Sequence, residues 1–140
     1  MGVNSLFYKT DIILRRAKMK SICTMRDICK AISSFEEEFE KTYQISLNEA
    51  MVLCTLHEAQ TPLTSTSIAE RTEMKTSHTS KVIRSVEEKG LIERALGETD
   101  KRQMFFSLTI AGERQLKDLK CDKVMIPELL QPIFAKREEV

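Results

Sequence analysis

Apolar residues recur at helical spacing along two short segments of this chain. Residues 64–71 form the first segment, and residues 76–89 form the second, whose apolar side chains share one face: Val82, Ile83 and Val86. Gly90 follows directly, and glycine is favoured just past a helix end because it adopts positive φ without strain. The pattern therefore predicts two helices joined by a tight turn near residues 72–74.

After Gly90 the pattern changes from helical to extended. Residues 91–94 have extended character, residues 104–108 alternate well enough for a strand, and a polar loop containing Gly97 joins them. Two helices, a tight turn and a hairpin are the plan of a winged helix-turn-helix. That plan most often serves to place the second helix in a DNA groove.

Helices are predicted on both sides of this region. Residues 24–43 carry apolar residues at helical spacing, and Thr24 is the predicted N-cap. Ser46 and Glu49 have the spacing of a capping box, which opens another helix. Further capping residues are expected before later helices: Thr64 and Thr109. The expected fold class is mostly α-helical with a small β-hairpin wing.

Apolar residues at the two ends of the chain are difficult to bury within one copy. They are Leu6, Phe7, Ile12, Ile13 and Leu14 before the first predicted helix, and Met125, Ile126, Leu129, Leu130, Ile133 and Phe134 after the last. Exposed apolar surface of that extent usually marks an interface. We therefore expect a homodimer, and the alternative is that these segments fold back on their own core.

Several phrases of the sequence share the order and spacing of one protein family. They are IAER at 68–71, KVIRSVEEKGLIER at 81–94, DKR at 100–102 and SLTIAG at 107–112. Together they resemble the MarR family (multiple-antibiotic-resistance regulators) of bacterial transcription factors. The resemblance is dense over residues 63–112 and thinner over the flanking helices.

The resemblance implies an organisation and a partner. It implies a single domain over residues 1–140, with a winged helix-turn-helix core at 46–112 and helical dimerisation segments at 1–45 and 113–140. In the family these terminal helices interlock around a two-fold axis. The implied function is transcriptional regulation, as a repressor, on a pseudo-palindromic operator in double-stranded DNA. Its half-sites would lie about one helical turn, ~10 bp, apart.

The second helix of the motif should present its N-terminal residues to base edges in the major groove. Position selects six residues: Thr76, Ser77, His78, Ser80, Lys81 and Arg84. Arg84 suits a two-pronged guanine contact or a phosphate clamp. His78 either reads a base or phosphate or is an ordinary solvent-facing residue. Lys75 stands where the family usually has a Ser or Asp cap, so the helix is expected to start at Thr76 or to be less well capped.

The resemblance also assigns roles in the loop between the strands. In the family, the arginine that corresponds to Arg102 enters the minor groove, and the aspartate that corresponds to Asp100 is the ion-pair partner that orients it. A narrow A·T-rich minor groove concentrates negative potential and favours an extended guanidinium. Lys101 would add a phosphate contact. The alternative for Asp100 and Arg102 is a surface ion pair without a DNA role.

Charge is distributed unevenly along the chain, although the formal net charge is only +1. Residues 1–30 hold seven Lys and Arg against two Asp, and residues 31–60 hold one Lys against six Glu. Residues 75–84 contain three basic residues and no acid. Phosphate contacts act through nearby charge, so the local excess of positive charge on the second helix is compatible with DNA binding.

Two modes of regulation are open. Family members often release DNA when a small apolar or phenolic anion enters a crevice between the dimer helices and the winged domain. The candidates for such a ligand crevice are Phe35, Phe39, Met51 and His57. For each of them, the alternative is an ordinary core position. The other mode is redox sensing.

Cys23 is the candidate redox residue, because it precedes the predicted cap Thr24 and a helix N-terminus lowers the pKa of a thiol. The peroxide-sensing branch of the family uses a cysteine near the start of its first helix. The tyrosines that assist that cysteine are not evident around Cys23. Cys29 and Cys54 fall near apolar positions and are expected to be buried.

Other classes of function find little support in the sequence. No run of 18 apolar residues exists, so no membrane partner is expected. Four scattered cysteines fit reduced thiols in a cytoplasmic protein better than disulfides or a zinc site. With two histidines and no Gly-rich phosphate loop, we expect no enzyme, no cofactor and no metal. The remaining alternative is a winged-helix protein-interaction module that does not bind DNA.

Overall fold

The computed structural model describes residues 2–120 and 123–138, and the side chains of residues 9–16, 19–120 and 123–137. The elements, in chain order, are α1 Gly2–Tyr43, α2 Leu47–Ala59, β1 Leu63–Thr64, α3 Ser65–Thr72, α4 Thr76–Glu88, β2 Ile92–Leu96, β3 Met104–Leu108, α5 Ile110–Leu119, a 3-10 turn Glu128–Leu130 and α6 Gln131–Glu138. The fold is mostly helical with a small sheet, as predicted.

The chain divides into two compact units. One consists of Met1–Glu37 with Met125–Val140, and the other of Glu38–Val124. The predicted winged core, residues 46–112, lies within the second unit. The domain boundaries proposed from the sequence stay predictions.

The second unit is built on an antiparallel sheet with strand order β1-β3-β2. Leu63 of β1 pairs with Phe106 of β3, and Ile92 of β2 pairs with Leu108. Helices α2, α3 and α4 bury apolar side chains together with this sheet: Val52, Leu53, Ile68, Ile83, Val86, Ile92 and Phe106. Strand β1 was not predicted from the sequence, because two residues are too short for an alternating pattern.

The caps predicted at Ser46, Thr64 and Thr109 are confirmed. Ser46 and Glu49 form a capping box at the start of α2. The side-chain oxygens of Thr64 and Thr109 accept backbone N–H groups at the starts of α3 and α5. Gly90 has a φ of 72°, so it ends α4 in the left-handed region where glycine is free of strain. Local cap chemistry therefore sets the limits of the helices around the turn.

Gly112 fixes the contact between α5 and the chain that enters the hairpin. A Cβ on this residue would lie 2.1 Å from the Leu91 carbonyl oxygen. The Thr109 hydroxyl donates to the Gly90 carbonyl at 2.7 Å, and its backbone N–H donates to the Leu91 carbonyl. This close approach anchors the base of the hairpin to the first turn of α5.

The predicted start of the first helix is wrong. Instead of beginning after Thr24, α1 runs from Gly2 to Tyr43. Thr24 lies in its interior, where its hydroxyl donates to the Lys20 carbonyl oxygen at 2.8 Å. A threonine can satisfy its hydroxyl in this way within a helix, so the residue does not interrupt α1. Cys23 is consequently far from the helix N-terminus.

In the unit formed by Met1–Glu37 and Met125–Val140, many large apolar side chains are exposed. They are Ile12, Ile13, Leu14, Met19, Ile22, Met25 and Ile32 on α1, and Met125, Leu129, Ile133 and Phe134 near the C-terminus. Ile126 and Leu130 are half-buried. The side chains of Leu6 and Phe7 lie outside the described residues. Within the described part of the chain, no helix is both long and apolar enough to span a bilayer.

Candidate nucleic-acid interface

Helix α4 separates its side chains into a buried and an exposed face. Thr79, Val82, Ile83 and Val86 are buried. All six residues selected from the sequence are exposed: Thr76, Ser77, His78, Ser80, Lys81 and Arg84. The helix begins at Thr76, as expected, and Lys75 occupies the N-cap without a side-chain hydrogen bond. The first-turn N–H groups thus lack a side-chain cap, and such groups suit an anion such as a phosphate.

His78 lies beside the start of α2. The amide nitrogen of Asn48 is 3.1 Å from its Nε2 atom and donates to it in the tautomer that carries the ring proton on Nδ1. The imidazole is therefore held at an exposed position at the N-terminal end of α4. The contact of Asn48 with His78 was not predicted from the sequence, because 30 residues separate the two and no local pattern relates them.

A groove with a volume of about 710 Å³ joins α4 to the first turn of α3 and to the sheet. Its lining comprises Thr64, Ser65, Thr66, Ser80, Ile83, Arg84, Arg94, Gln103, Met104 and Phe106. Ser80 and Arg84 come from the exposed face of α4, and Gln103 directly follows Arg102. One concave surface thus connects the second helix of the motif with the base of the loop between the strands.

Arg94 links β2 to α4. Its Nε and one terminal nitrogen donate to the two carboxylate oxygens of Glu87, and its guanidinium lies 5.7 Å from the centre of the Phe106 ring. The hydrogen bonds from Arg94 lower the pKa of Glu87 below its ordinary value, and Arg84 adds to that effect. The same contact raises the pKa of Arg94. The pair neutralises an acid beside Arg84 and fixes the sheet against α4.

The loop between β2 and β3, which we call the wing (residues 97–103), is held by its own backbone. A Cβ on Gly97 would lie 2.6 Å from the Asp100 carbonyl oxygen. The Gly97 N–H donates to the Gln103 carbonyl at 2.9 Å, and the Gln103 N–H donates to the Asp100 carbonyl at 3.1 Å. Lys101 and Arg102, which lie within this turn, are exposed.

The expected ion pair between Asp100 and Arg102 requires correction. The Asp100 carboxylate accepts the backbone N–H of Arg102 at 2.9 Å. An aspartate two residues before an amide commonly makes such a bond, because its short side chain reaches its own backbone more readily than a guanidinium. Asp100 therefore shapes the wing turn, and the Arg102 side chain is exposed.

The four candidates for a ligand crevice lie in different surroundings. Phe39 is buried, with its ring centre 4.8 Å from that of Tyr43, whereas Phe35 is half-buried and Met51 is exposed. His57 Nδ1 lies 3.4 Å from the Glu113 carboxylate, in a cavity of about 380 Å³. His57 thus lines a cavity. The ligand crevice formed by all four residues stays a prediction.

The cysteines differ from expectation. Cys23 is exposed in the interior of α1, which removes the helix N-terminus as a reason for its reactivity. Cys29 and Cys54 are exposed as well, although they were expected to be buried. Desolvation of the Cys54 thiol raises its pKa, and the charge of Glu58 adds to this effect. Cys29 and Cys54 lie on exposed faces of their helices. Apolar neighbours in the sequence do not show which face of a helix is buried. Cys121 lies outside the described residues.

Comparisons with known proteins agree with this geometry. Residues 45–104 match the model of the MarR family. A probable transcriptional regulator from Pseudomonas aeruginosa is 21% identical over 80% of this chain and 86% of its own, with a TM-score of 0.66. The YusO protein from Bacillus subtilis is 24% identical over 84% and 77%, with a TM-score of 0.59. No curated protein matches the chain.

A third similar structure is a complex of MepR from Staphylococcus aureus with DNA. MepR is 20% identical over 82% of this chain and 88% of its own, with a TM-score of 0.56. At these identities the structures establish the shared fold. Residues 45–104, which run from just before α2 through the wing, match the model of the MarR family and fold as a winged helix-turn-helix.

Proposed function

We propose that this chain is a transcriptional regulator that binds a specific sequence of double-stranded DNA as a homodimer. The observation that carries the proposal is the exposed face of α4, which presents hydroxyl, imidazole and basic side chains while its apolar face is buried. Residues 75–84 contain no acid, so this face attracts phosphate. MepR, which shares the fold, has been crystallised with DNA.

In this proposal α4 enters the major groove and the wing reaches the adjacent minor groove. Ser80 and Arg84 line the groove that leads to Gln103, which places the base of the wing next to the helix. Arg84 reads a guanine or clamps a phosphate. Arg102 extends into the minor groove from a turn fixed by its own backbone, and Lys101 contacts a phosphate.

The homodimer is supported by the exposed apolar side chains of α1 and of the C-terminal residues 125–134. A second copy would remove these side chains from water, which favours association. Two copies related by a two-fold axis would present two α4 helices to half-sites about one helical turn apart. Light scattering at micromolar concentration should give the mass of two chains, and a monomeric mass would contradict this part of the proposal.

Repression and release by a small ligand complete the proposal. A dimer that occupies an operator excludes other proteins from it, which favours repression. The cavity beside His57 and Glu113, at about 380 Å³, is within the range of small-ligand sites. A ligand that binds it more tightly in the DNA-free state would lower DNA affinity.

Selection from a random pool of duplexes tests the DNA-binding proposal. The wild-type chain should enrich a pseudo-palindrome, and Arg84→Ala should enrich it poorly. Arg114→Ala removes the same charge from an exposed position on α5 and serves as the matched control, which should behave as wild type. Failure of the wild-type chain to enrich any sequence would overturn the proposal and favour a protein-interaction module.

A further inference from the structure

Two neighbouring residues in the first turns of α2 contact opposite ends of α4. Asn48 reaches His78 near the N-terminal end of α4. Glu49 reaches Ser85 and Lys89 near the C-terminal end, across 36 and 40 residues of sequence. The helix that faces DNA in the proposed function is therefore tied to α2 at two points about two to three turns apart.

Glu49 is the centre of the tie at the C-terminal end. Its side chain is only 7% exposed, and one carboxylate oxygen accepts both the Ser46 N–H and the Lys89 ammonium, each at 2.9 Å. The other oxygen accepts the Ser85 hydroxyl at 3.2 Å. Lys89 also donates to the Gln44 carbonyl at 3.2 Å. A buried carboxylate with partners on two helices fixes their relative orientation.

The charge of Glu49 is retained despite its burial. Burial by itself would raise the pKa of the carboxyl group, but the Ser46 N–H and the Lys89 ammonium outweigh that effect and hold the pKa below its ordinary value. The group is therefore an anion at neutral pH, and Lys89 is held by a charge-assisted hydrogen bond, which is stronger than a neutral one.

We propose that Glu49 is a positioning residue for DNA recognition: through Ser85 and Lys89 it sets the orientation in which α4 meets base edges, without touching DNA itself. The inference rests on the proposed function. Base contacts require side chains to be placed within a fraction of an ångström, whereas phosphate attraction tolerates larger displacement. Loss of the tie should therefore reduce discrimination between sequences more than general affinity.

The substitution Glu49→Gln separates positioning from helix capping. Glutamine serves in a capping box as glutamate does, so the start of α2 is preserved. It lacks the negative charge that holds Lys89. Glu88→Gln is the matched control, because Glu88 is exposed on α4 and its side chain makes no hydrogen bond or ion pair among the described residues. Both substitutions remove one negative charge, which by electrostatics alone would tighten DNA binding.

The experiment measures the affinity of both variants for the selected operator and for an unrelated duplex by fluorescence anisotropy. Circular dichroism melting sets a temperature at which every variant is fully folded. Glu49→Gln should bind the operator about tenfold more weakly, a change that corresponds to about 1.4 kcal/mol. Its affinity for the unrelated duplex should equal that of Glu88→Gln. Glu88→Gln should bind both duplexes as tightly as wild type or more tightly.

Lys89→Met provides a second, independent variant. It removes the ammonium that Glu49 holds and keeps most of the aliphatic chain. It should lose operator discrimination to a similar extent, and the double variant should lose little more, because residues that act as one unit are not additive. Additive losses in the double variant would contradict a shared role.

The outcomes distinguish this inference from the proposed function. Operator binding by Glu49→Gln that equals that of Glu88→Gln would overturn the inference and leave DNA binding intact. An equal loss on both duplexes would also overturn it, since that pattern indicates a general structural effect. If the wild-type chain bound no duplex, the proposed function would fail and the inference with it.

Discussion

Replacing Arg102 by alanine should remove one positive charge from the wing and keep the shape of the wing. The turn depends on backbone groups: the Arg102 N–H donates to Asp100, and Gly97 pairs with Gln103. Alanine retains that N–H, and the exposed Arg102 side chain makes no ion pair among the described residues. Surface substitutions of this kind usually change stability by less than about 0.5 kcal/mol. The melting temperature should therefore be nearly unchanged.

The effect of Arg102→Ala on DNA binding should be large by comparison. Loss of an arginine contact to DNA typically costs about 1–3 kcal/mol. In the proposed homodimer each copy contributes one wing, and two wings that act independently would together lose about 2–6 kcal/mol. At the lower limit, that is a weakening of about thirtyfold. If each guanidinium displaces one counterion, the slope of log affinity against log salt should fall in magnitude by about 2.

Anisotropy titrations of the operator at several salt concentrations measure both quantities. Arg114→Ala, which removes the same charge from α5, should leave the affinity and the slope close to those of wild type. Unaltered binding by Arg102→Ala would exclude the wing from the mechanism. An equal loss in both variants would show that net charge, and not the position of Arg102, determines the affinity.

Three further predictions concern stability. Leu53→Ala should lower the free energy of unfolding, measured by urea denaturation, by about 2–5 kcal/mol, because the Leu53 side chain is fully buried. Met51→Ala, on the exposed face of α2, should lower it far less. Gly112→Ala should lower the melting temperature strongly, because its Cβ would overlap the Leu91 carbonyl oxygen; a wild-type melting temperature would contradict the fold. The lowered pKa of Glu49 means that its anion contributes stability above the ordinary glutamate pKa of about 4.3. That contribution is lost as pH falls through the lowered pKa, so Glu49→Gln should show a flatter loss of stability in acid, and an unchanged profile would contradict this cause.

Sequence patterns predicted features that depend on local chemistry. The caps at Ser46, Thr64 and Thr109 hold because a side-chain oxygen and an N–H three residues later are neighbours in any helix start. The apolar stripe of α4 likewise follows from helical spacing, and it determined which residues are exposed. The helix proposed to face DNA was therefore predictable from the sequence alone.

Features that depend on distant or competing contacts were not predictable in this way. Thr24 has the chemistry of a cap, but its hydroxyl bonds within α1 instead. The contacts of Glu49 with Ser85 and Lys89 join segments whose proximity only the fold establishes. Asp100 was correctly predicted to contact Arg102, but its carboxylate accepts the backbone N–H and not the guanidinium. Spacing alone does not distinguish these two donors.

Chemical protection of the selected operator tests the central claim most directly. Dimethyl sulfate methylates guanine at N7 in the major groove and adenine at N3 in the minor groove. The bound chain should protect N7 in two windows about one helical turn apart, and N3 beside each window. Arg102→Ala should lose the N3 protection alone, and Arg84→Ala should weaken the N7 protection. Protection confined to one groove, or minor-groove protection that persists in Arg102→Ala, would contradict the account.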